Sequence, residues 1–218
     1  MPYLIMKGMA YPLGKLIIGP IVGLWIESVE CKENIPKDKA FIIAANHSSY
    51  YDALLVPSIV APIANKKIHA LVNSFYWKPF ITRFFLNIWE AIPVYVENDN
   101  KKKNQEALGK ALSYIRKGES LMIFPEGKRS FDGKLQKAYT GVAKIALKAG
   151  IPVLPIGVID ANKVLPRGSI FPRFKRCRVK IGKLMYFEKR KINEKALNDA
   201  TRRVMQEIAR LIGQKYRH

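Results

Sequence analysis

Acidic residues are few. The 218-residue chain has 17 Asp and Glu against 38 Lys and Arg, a formal net charge of +21. So strong an excess points to an anionic partner, whether nucleic acid, an anionic lipid surface, or a phosphorylated or acidic substrate. Cysteine is scarcer still. Cys31 and Cys177 stand far apart, with no CxxC pair and no Cys/His cluster. That removes the main support for a structural zinc site, a disulfide framework or a dithiol redox centre, and leaves two reduced, buried thiols as the expectation. Long hydrophobic runs are also missing. The longest stretch without Asp, Glu, Lys or Arg runs from Ala53 to Asn65, 13 residues broken by Pro57 and Pro62, where a spanning helix needs roughly 20 apolar residues. There is no internal repeat and no low-complexity tract, and 49% apolar content is enough to fill a core, which argues against a disordered chain.

The N-terminal stretch is distinctive for what it contains. PYLIMKGMAYPLGKLIIGPIVGLWIE carries only Lys7, Lys15 and Glu27 as charges and is punctuated by Gly and Pro. It lacks the basic start and small-residue cleavage site of a signal peptide. Its composition fits an apolar helical segment lying in the headgroup region with its lysines toward phosphates, although a helix packed on the core would look similar. The expected organisation is an interfacial membrane-docking segment over residues 1–28 and one domain over residues 29–218.

Within that domain, short apolar runs alternate with amphipathic stretches. This predicts an α/β architecture with a central mixed sheet flanked by helices. Ala40–Ala45, Ala91–Val96, Ser120–Phe124, Ile151–Ile159 and Arg178–Ile181 read as buried strands, the fourth weakened by Pro152 and Pro155. Asn104–Arg116 places Ala107, Leu108, Ala111, Leu112 and Ile115 on one helical face, with Gly118 as the stop; Thr140–Ala149 repeats the device with Gly150. A last helix, about Asn193–Gln214, aligns Leu197, Val204, Ile208 and Leu211 against a basic, solvated face.

Two segments carry chemistry. Of three histidines, His218 is terminal and His69 lies in an apolar stretch suited to an ordinary structural role. His47 instead follows the strand in AFIIAANHSSYYD, where α/β folds place ligand sites. Asp52 comes five residues on. On one continuous helix the two would be about 140° apart, so contact requires His47 in the loop and Asp52 in the helix's first turn. Ser49 and Asp52 form a capping-box-like S-x-x-D that would start the helix at Ser49 with Asp52 at its third position. Asp52 as a cap alone is one reading. As the partner of an imidazole, it would orient the ring, fix its tautomer and stabilise the imidazolium of a general base. Ser48 and Ser49 stay open as nucleophiles, though no G-x-S-x-G elbow is present. The second segment, IFPEGKRSFDGK, packs Glu126, Gly127, Lys128, Arg129 and Ser130 into one turn after a predicted strand. Arg129 offers a forked donor, Lys128 a point charge, Ser130 a hydroxyl and Gly127 close backbone approach, a set suited to a phosphate. Glu126 fits there only by pairing with a basic neighbour or a substrate hydroxyl, as a positioning residue. A plain charged surface turn is the bland alternative.

As an ordered pair about 80 residues apart, N-H-S-S-Y-Y-D and F-P-E-G-K-R-S resemble the HxxxxD and EGxRS motifs of the 1-acylglycerol-3-phosphate acyltransferase (PlsC-like) family of glycerophospholipid acyltransferases. The resemblance runs from about Val29 to Ile181, with AIPV at 91–94 and IPVLPIGV at 151–158 similar to further family motifs. It implies that His47 takes the proton from an acceptor hydroxyl that attacks an acyl thioester, and that Asp52 orients His47. The turn with Glu126, Gly127, Arg129 and Ser130 would hold the glycerol phosphate. Implied too are phosphatidate as product, acyl-acyl carrier protein or acyl-CoA as co-substrate, no cofactor, no metal, and a peripheral (monotopic) site on the cytoplasmic face of an anionic membrane. One position departs from the pattern. The family's second motif commonly ends in a phosphate-binding arginine, and Val96 stands there; Arg83, Lys128 or Lys137 are candidate replacements, and glycerol 3-phosphate or another lysolipid stays open as acceptor.

The stretch from Phe75 to Glu90 interleaves Trp77 and Trp89 with Lys78 and Arg83, which suits a bilayer interface or an acyl tunnel as well as core packing. Single-stranded nucleic acid would use the same residue types. With no RNP-like or helix-turn-helix signature, nucleic acid is not expected.

Overall fold

A computed structural model describes residues 17–96, 100–189 and 192–218. Of the docking segment expected over residues 1–28, residues 1–16 lie outside the described residues. The chain runs α1 (Gly19–Gly23), β1 (Ile26–Glu30), β2 (Ile42–Ala45), α2 (Asp52–Ala64), β3 (Ile68–Asn73), α3 (Phe80–Ile88), β4 (Ile92–Val94), α4 (Lys101–Arg116), β5 (Ser120–Ile123), α5 (Gly141–Ala149), β6 (Val153–Ile159), α6 (Ala161–Val164), β7 (Cys177–Ile181) and α7 (Glu194–Leu211). The strands form one sheet in the order β1-β7-β6-β2-β5-β3-β4. Strands β6, β2, β5, β3 and β4 are mutually parallel; β7 pairs antiparallel to β6, and β1 runs parallel to β7. The sheet is therefore mixed, as expected. Among the described residues no helix is long and apolar enough to cross a membrane.

Period-two alternation distributes the strand side chains over two cores. Ile42, Ala44, Leu121, Ile123 and Val153 face one way, against α4, α5 and α7. Phe41, Ile43, Ala45, Met122, Leu154, Ile156 and Val158 face the other, against α1, α2 and α6. Burying such a side chain contributes about 1.5–3 kcal/mol, so the central strands read as continuous apolar runs. Helix starts follow the capping chemistry: Asn100 accepts from Lys103 N–H and Asn193 from Ala196 N–H. Gly150 closes α5 at φ +67°.

The structure departs from the sequence-based expectations at four places. Strand β1 straddles the expected boundary at residue 28, because Ile26 already pairs with Cys177 on β7. Strand β3 was not anticipated; it contains His69, whose Nε2 lies 2.8 Å from Glu119 Oε2 and whose ring stacks on Tyr114. Cys31 is exposed, at the φ +59° turn leaving β1, and only Cys177 is buried. Pro155 is tolerated in β6 because its carbonyl accepts from Gly182 N–H beyond the β7 ladder, which starts at Ile156, so its missing N–H interrupts no rung of that ladder.

These strand directions decide what meets what. The carboxyl ends of β2, β5, β3 and β6 and the amino ends of β7 and β1 all lie at one end of the sheet. The loops after β2 and β5 emerge there, where ligand sites of open α/β sheets form.

Candidate active site

Asn46 anchors the first loop. Its side chain copies a peptide unit, donating from Nδ2 to Val158 O at 2.8 Å and accepting from Val158 N–H at 2.7 Å, so the β2–β6 ladder continues one residue past Ala45. His47 then turns out of the sheet. Its Nδ1 lies 3.0 Å from Asp52 Oδ2, and the same oxygen accepts from the Ser48 and Ser49 backbone N–H groups at 2.7 Å each. Ser49 Oγ in turn accepts from Tyr51 N–H at 3.1 Å. Only half of the capping box expected from S-x-x-D is formed: Asp52 takes the Ser49 N–H, but Ser49 Oγ receives Tyr51 N–H instead of Asp52 N–H, and regular helix begins at Asp52 and not at Ser49. One carboxylate oxygen thus serves both as the cap and as the imidazole's partner.

Asp52 is fully buried, while the His47 side chain keeps 15% of its surface. A carboxylate accepts only, so the ring proton belongs on Nδ1 and the lone pair on Nε2. Phe124, the residue after β5, stacks flat on the imidazole with centroids 4.0 Å apart and planes 11° apart. It fixes the plane in which Nε2 points.

The turn at 126–130 is brought against this loop by backbone bonds. Ser130 N–H donates to His47 O at 2.7 Å, and His47 N–H donates to Glu126 Oε1 at 2.9 Å. Glu126 Oε2 accepts from Gln136 N–H at 2.8 Å. Glu126 is 1% exposed; burial pushes its carboxyl up to about 7, against the two amide bonds that favour the ionised form. Each of its two oxygens accepts from a main-chain donor, so it ties the His47 loop to the segment at Gln136. Gly127 adopts φ +68° and a Cβ there would meet the Tyr139 ring at 2.8 Å, so the turn suits glycine. The same Cβ would lie 3.5 Å from Val96 Cγ1, which places position 96 against the turn. Arg129 lies over the Tyr50 ring, its Cζ 3.4 Å from the ring centroid. Lys128 is exposed. The buried Ser130 donates its hydroxyl proton to Asp132 Oδ1 at 3.1 Å.

A pocket of about 370 Å³ opens beside these loops. Ser48 and Ser130 line it together with Lys163, Arg167, Arg173 and Lys175 from the β6–β7 connection. Those four bases escaped the sequence reading because they sit in an irregular segment with no periodicity; the only signal is that Ala161–Phe187 contains no Asp or Glu. Asn46, Phe124, Gln136 and Tyr50 were missed too, since their roles exist only once distant segments meet. Among the described residues no cluster of His, Cys, Asp or Glu is placed to hold a metal ion.

An imidazole with a buried carboxylate behind it and a cation-lined pocket beside it can deprotonate a hydroxyl on an anionic substrate. Three comparisons with known proteins bear on the chain. The family model described as Acyltransferase matches residues 28–159. The 1-acyl-sn-glycerol-3-phosphate acyltransferase of Borreliella burgdorferi is 28% identical over 155 residues, 69% of this chain and 59% of that protein. Its namesake in Escherichia coli K12 is 28% identical over 153 residues, 67% of this chain and 58% of that protein. A chloroplastic namesake in Arabidopsis thaliana is 26% identical over 143 residues, 65% of this chain and 38% of that protein. The chain thus spans between about two fifths and three fifths of the length of these relatives. The crystal structure of the 1-acyl-sn-glycerophosphate (LPA) acyltransferase PlsC from Thermotoga maritima shares the fold, with a TM-score of 0.74 and 23% identity over 97% of this chain and 83% of that one. With the family model covering more than half of its length, including both the His47 loop and the Arg129 turn, the chain belongs to the acyltransferase family.

Proposed function

We propose that the chain is a 1-acylglycerol-3-phosphate O-acyltransferase that moves a fatty acyl chain from acyl-acyl carrier protein or acyl-CoA to the free hydroxyl of a lysophosphatidate. The product is phosphatidate, for phospholipid biosynthesis, made by a peripheral (monotopic) protein at the cytoplasmic face of a membrane. The names of the relatives support the reading. The observation that carries it is the 3.0 Å contact between His47 Nδ1 and an Asp52 oxygen already pinned by two backbone amides.

In this reading His47 Nε2 removes the acceptor's hydroxyl proton as the oxygen attacks the thioester carbonyl. Asp52 stabilises the imidazolium that results. Collapse of the tetrahedral adduct breaks the carbon–sulfur bond, and the imidazolium returns the proton to the leaving thiolate, so the cycle closes on neutral His47. Arg129, Lys128, Ser130 and the turn at Gly127, with the four bases across the pocket, hold the acceptor phosphate. Glu126 holds the His47 main chain in place.

The test incubates purified protein with vesicles, lysophosphatidate and each donor in turn. Wild-type protein should form phosphatidate and folded His47→Ala protein should not; substantial turnover by the variant overturns the base assignment. Val96 beside the turn favours a second reading in which the acceptor is glycerol 3-phosphate or another lysolipid. An acceptor panel with one labelled donor separates the two.

A further inference from the structure

The connection from β6 to β7, residues 160–176, does more than line the pocket. Its base is pinned where Arg173 N–H donates to Val164 O at 2.7 Å, and Gly168 turns the chain at φ +82°. From that base project Ile170, Phe171 and Phe174, which are 86%, 80% and 106% exposed. Large apolar side chains this exposed and this close together mark a contact surface. Between and beside them stand Arg167, Arg173, Lys175 and Arg176, with no acidic residue in the connection after Asp160.

The connection does not stand alone. Because β7 is antiparallel to β6 and β1 parallel to β7, it shares one end of the sheet with the segment that leads into β1, where Leu24 is exposed. Phe80, in the segment after β3, and Phe131, in the turn after β5, are exposed beyond the same end. Arg167 lies over Phe131, its Cζ 3.9 Å from the ring centroid, and so joins the connection to the turn that carries Arg129 and Ser130. Four separate parts of the chain therefore present apolar tips at the end of the sheet from which the His47 loop emerges.

We propose that the 165–176 connection is a bilayer-docking element that inserts Ile170, Phe171 and Phe174 below the headgroups of an anionic membrane while its arginines and lysine engage lipid phosphates. The proposal deepens the acyltransferase reading and rests on it for the lipid nature of the acceptor. Charge complementarity selects an anionic surface. The three exposed tips select a soft interface over a protein groove, because a partner protein would need a pocket for each, whereas acyl chains accommodate them without one. Docked in this way, the pocket mouth faces the headgroup layer that a lipid acceptor occupies.

The experiment measures vesicle binding without substrates, by sedimentation of the full chain with phosphatidylglycerol-containing vesicles and with neutral vesicles. Phe171→Ser combined with Phe174→Ser should lower partitioning by about tenfold per phenylalanine. Arg176→Glu should weaken binding to anionic vesicles and leave binding to neutral ones unchanged. Melting curves and turnover of a short-chain lysophosphatidate dispersed as monomers should match wild type in both variants. Partitioning of the double variant within twofold of wild type overturns the proposal. So does undiminished vesicle binding together with lost binding to acyl carrier protein, which would make the face a protein-docking surface. Vesicle binding that depends on Phe171 and Phe174, by a wild-type protein that transfers no acyl chain, would refute the enzymatic reading and leave the docking element standing.

Discussion

Glu126→Gln tests whether the buried carboxylate is a strut for the catalytic loop or a contact for substrate. The substitution keeps the volume and one accepting oxygen, but turns an NH₂ group toward either His47 N–H or Gln136 N–H, which now meet Glu126 at 2.9 and 2.8 Å. Whichever way the amide lies, one buried backbone donor loses its acceptor, at about 1–3 kcal/mol. The loss depends on pH. Burial raises the Glu126 carboxyl from 4.5 to about 7. Its contribution to stability is therefore complete below the unfolded value and is lost as pH rises through the folded one. Between about pH 5.5 and about pH 8.5 this group alone should remove about 2 kcal/mol from the wild type. The variant cannot titrate there, so the gap between the two proteins should be widest near the lower pH and should nearly close at the higher. Urea unfolding of both proteins at the two pH values measures this. Kinetics supply a second readout: a strut predicts a lower kcat with the acceptor KM little changed, since only the base is displaced. A variant with wild-type stability at both pH values and a raised acceptor KM would refute the strut and return Glu126 to the substrate.

Three other substitutions probe the remaining parts. Asp52→Asn should lower kcat by about a thousandfold while costing only about 1 kcal/mol, because the amide oxygen can still accept the Ser48 and Ser49 amides and the NH₂ takes the place of the unpartnered Oδ1; rates and melting curves on one preparation check both. Arg129→Lys, which gives up the guanidinium stack on Tyr50 and the forked donor, should raise the acceptor KM about tenfold in steady-state assays. Gly127→Ala should destabilise by about 1–2 kcal/mol, since alanine is strained at φ +68° and the exposed Tyr139 ring must move aside; calorimetry measures it.

What the sequence shows follows from which interactions are local. Strands β2, β5 and β6 are buried on both faces and read as unbroken apolar runs. The Ser49–Asp52 pair spans one turn, and its residue types were enough to place Asp52 behind His47, although the helix starts at Asp52 and not at Ser49. Strand β1 escaped notice because IESVE alternates polar residues at the edge of an apolar tract, and β3 because His69 interrupts its run. Ties such as Glu126 to the His47 amide join residues 79 apart through the main chain, and no side-chain pattern announces a backbone donor. The same holds for the β6–β7 bases, which are irregular in sequence and meet Ser48 and Ser130 only through the order of the strands.

The reversal at β7 reaches beyond the edge of the sheet. Had that strand followed its neighbours' direction, its connection would have had to travel to the far pole of the domain before pairing, carrying its phenylalanines and arginines away from the catalytic loops. Turning back makes the connection one lip of the pocket, so the heading of a single five-residue segment decides which end of the sheet carries those side chains.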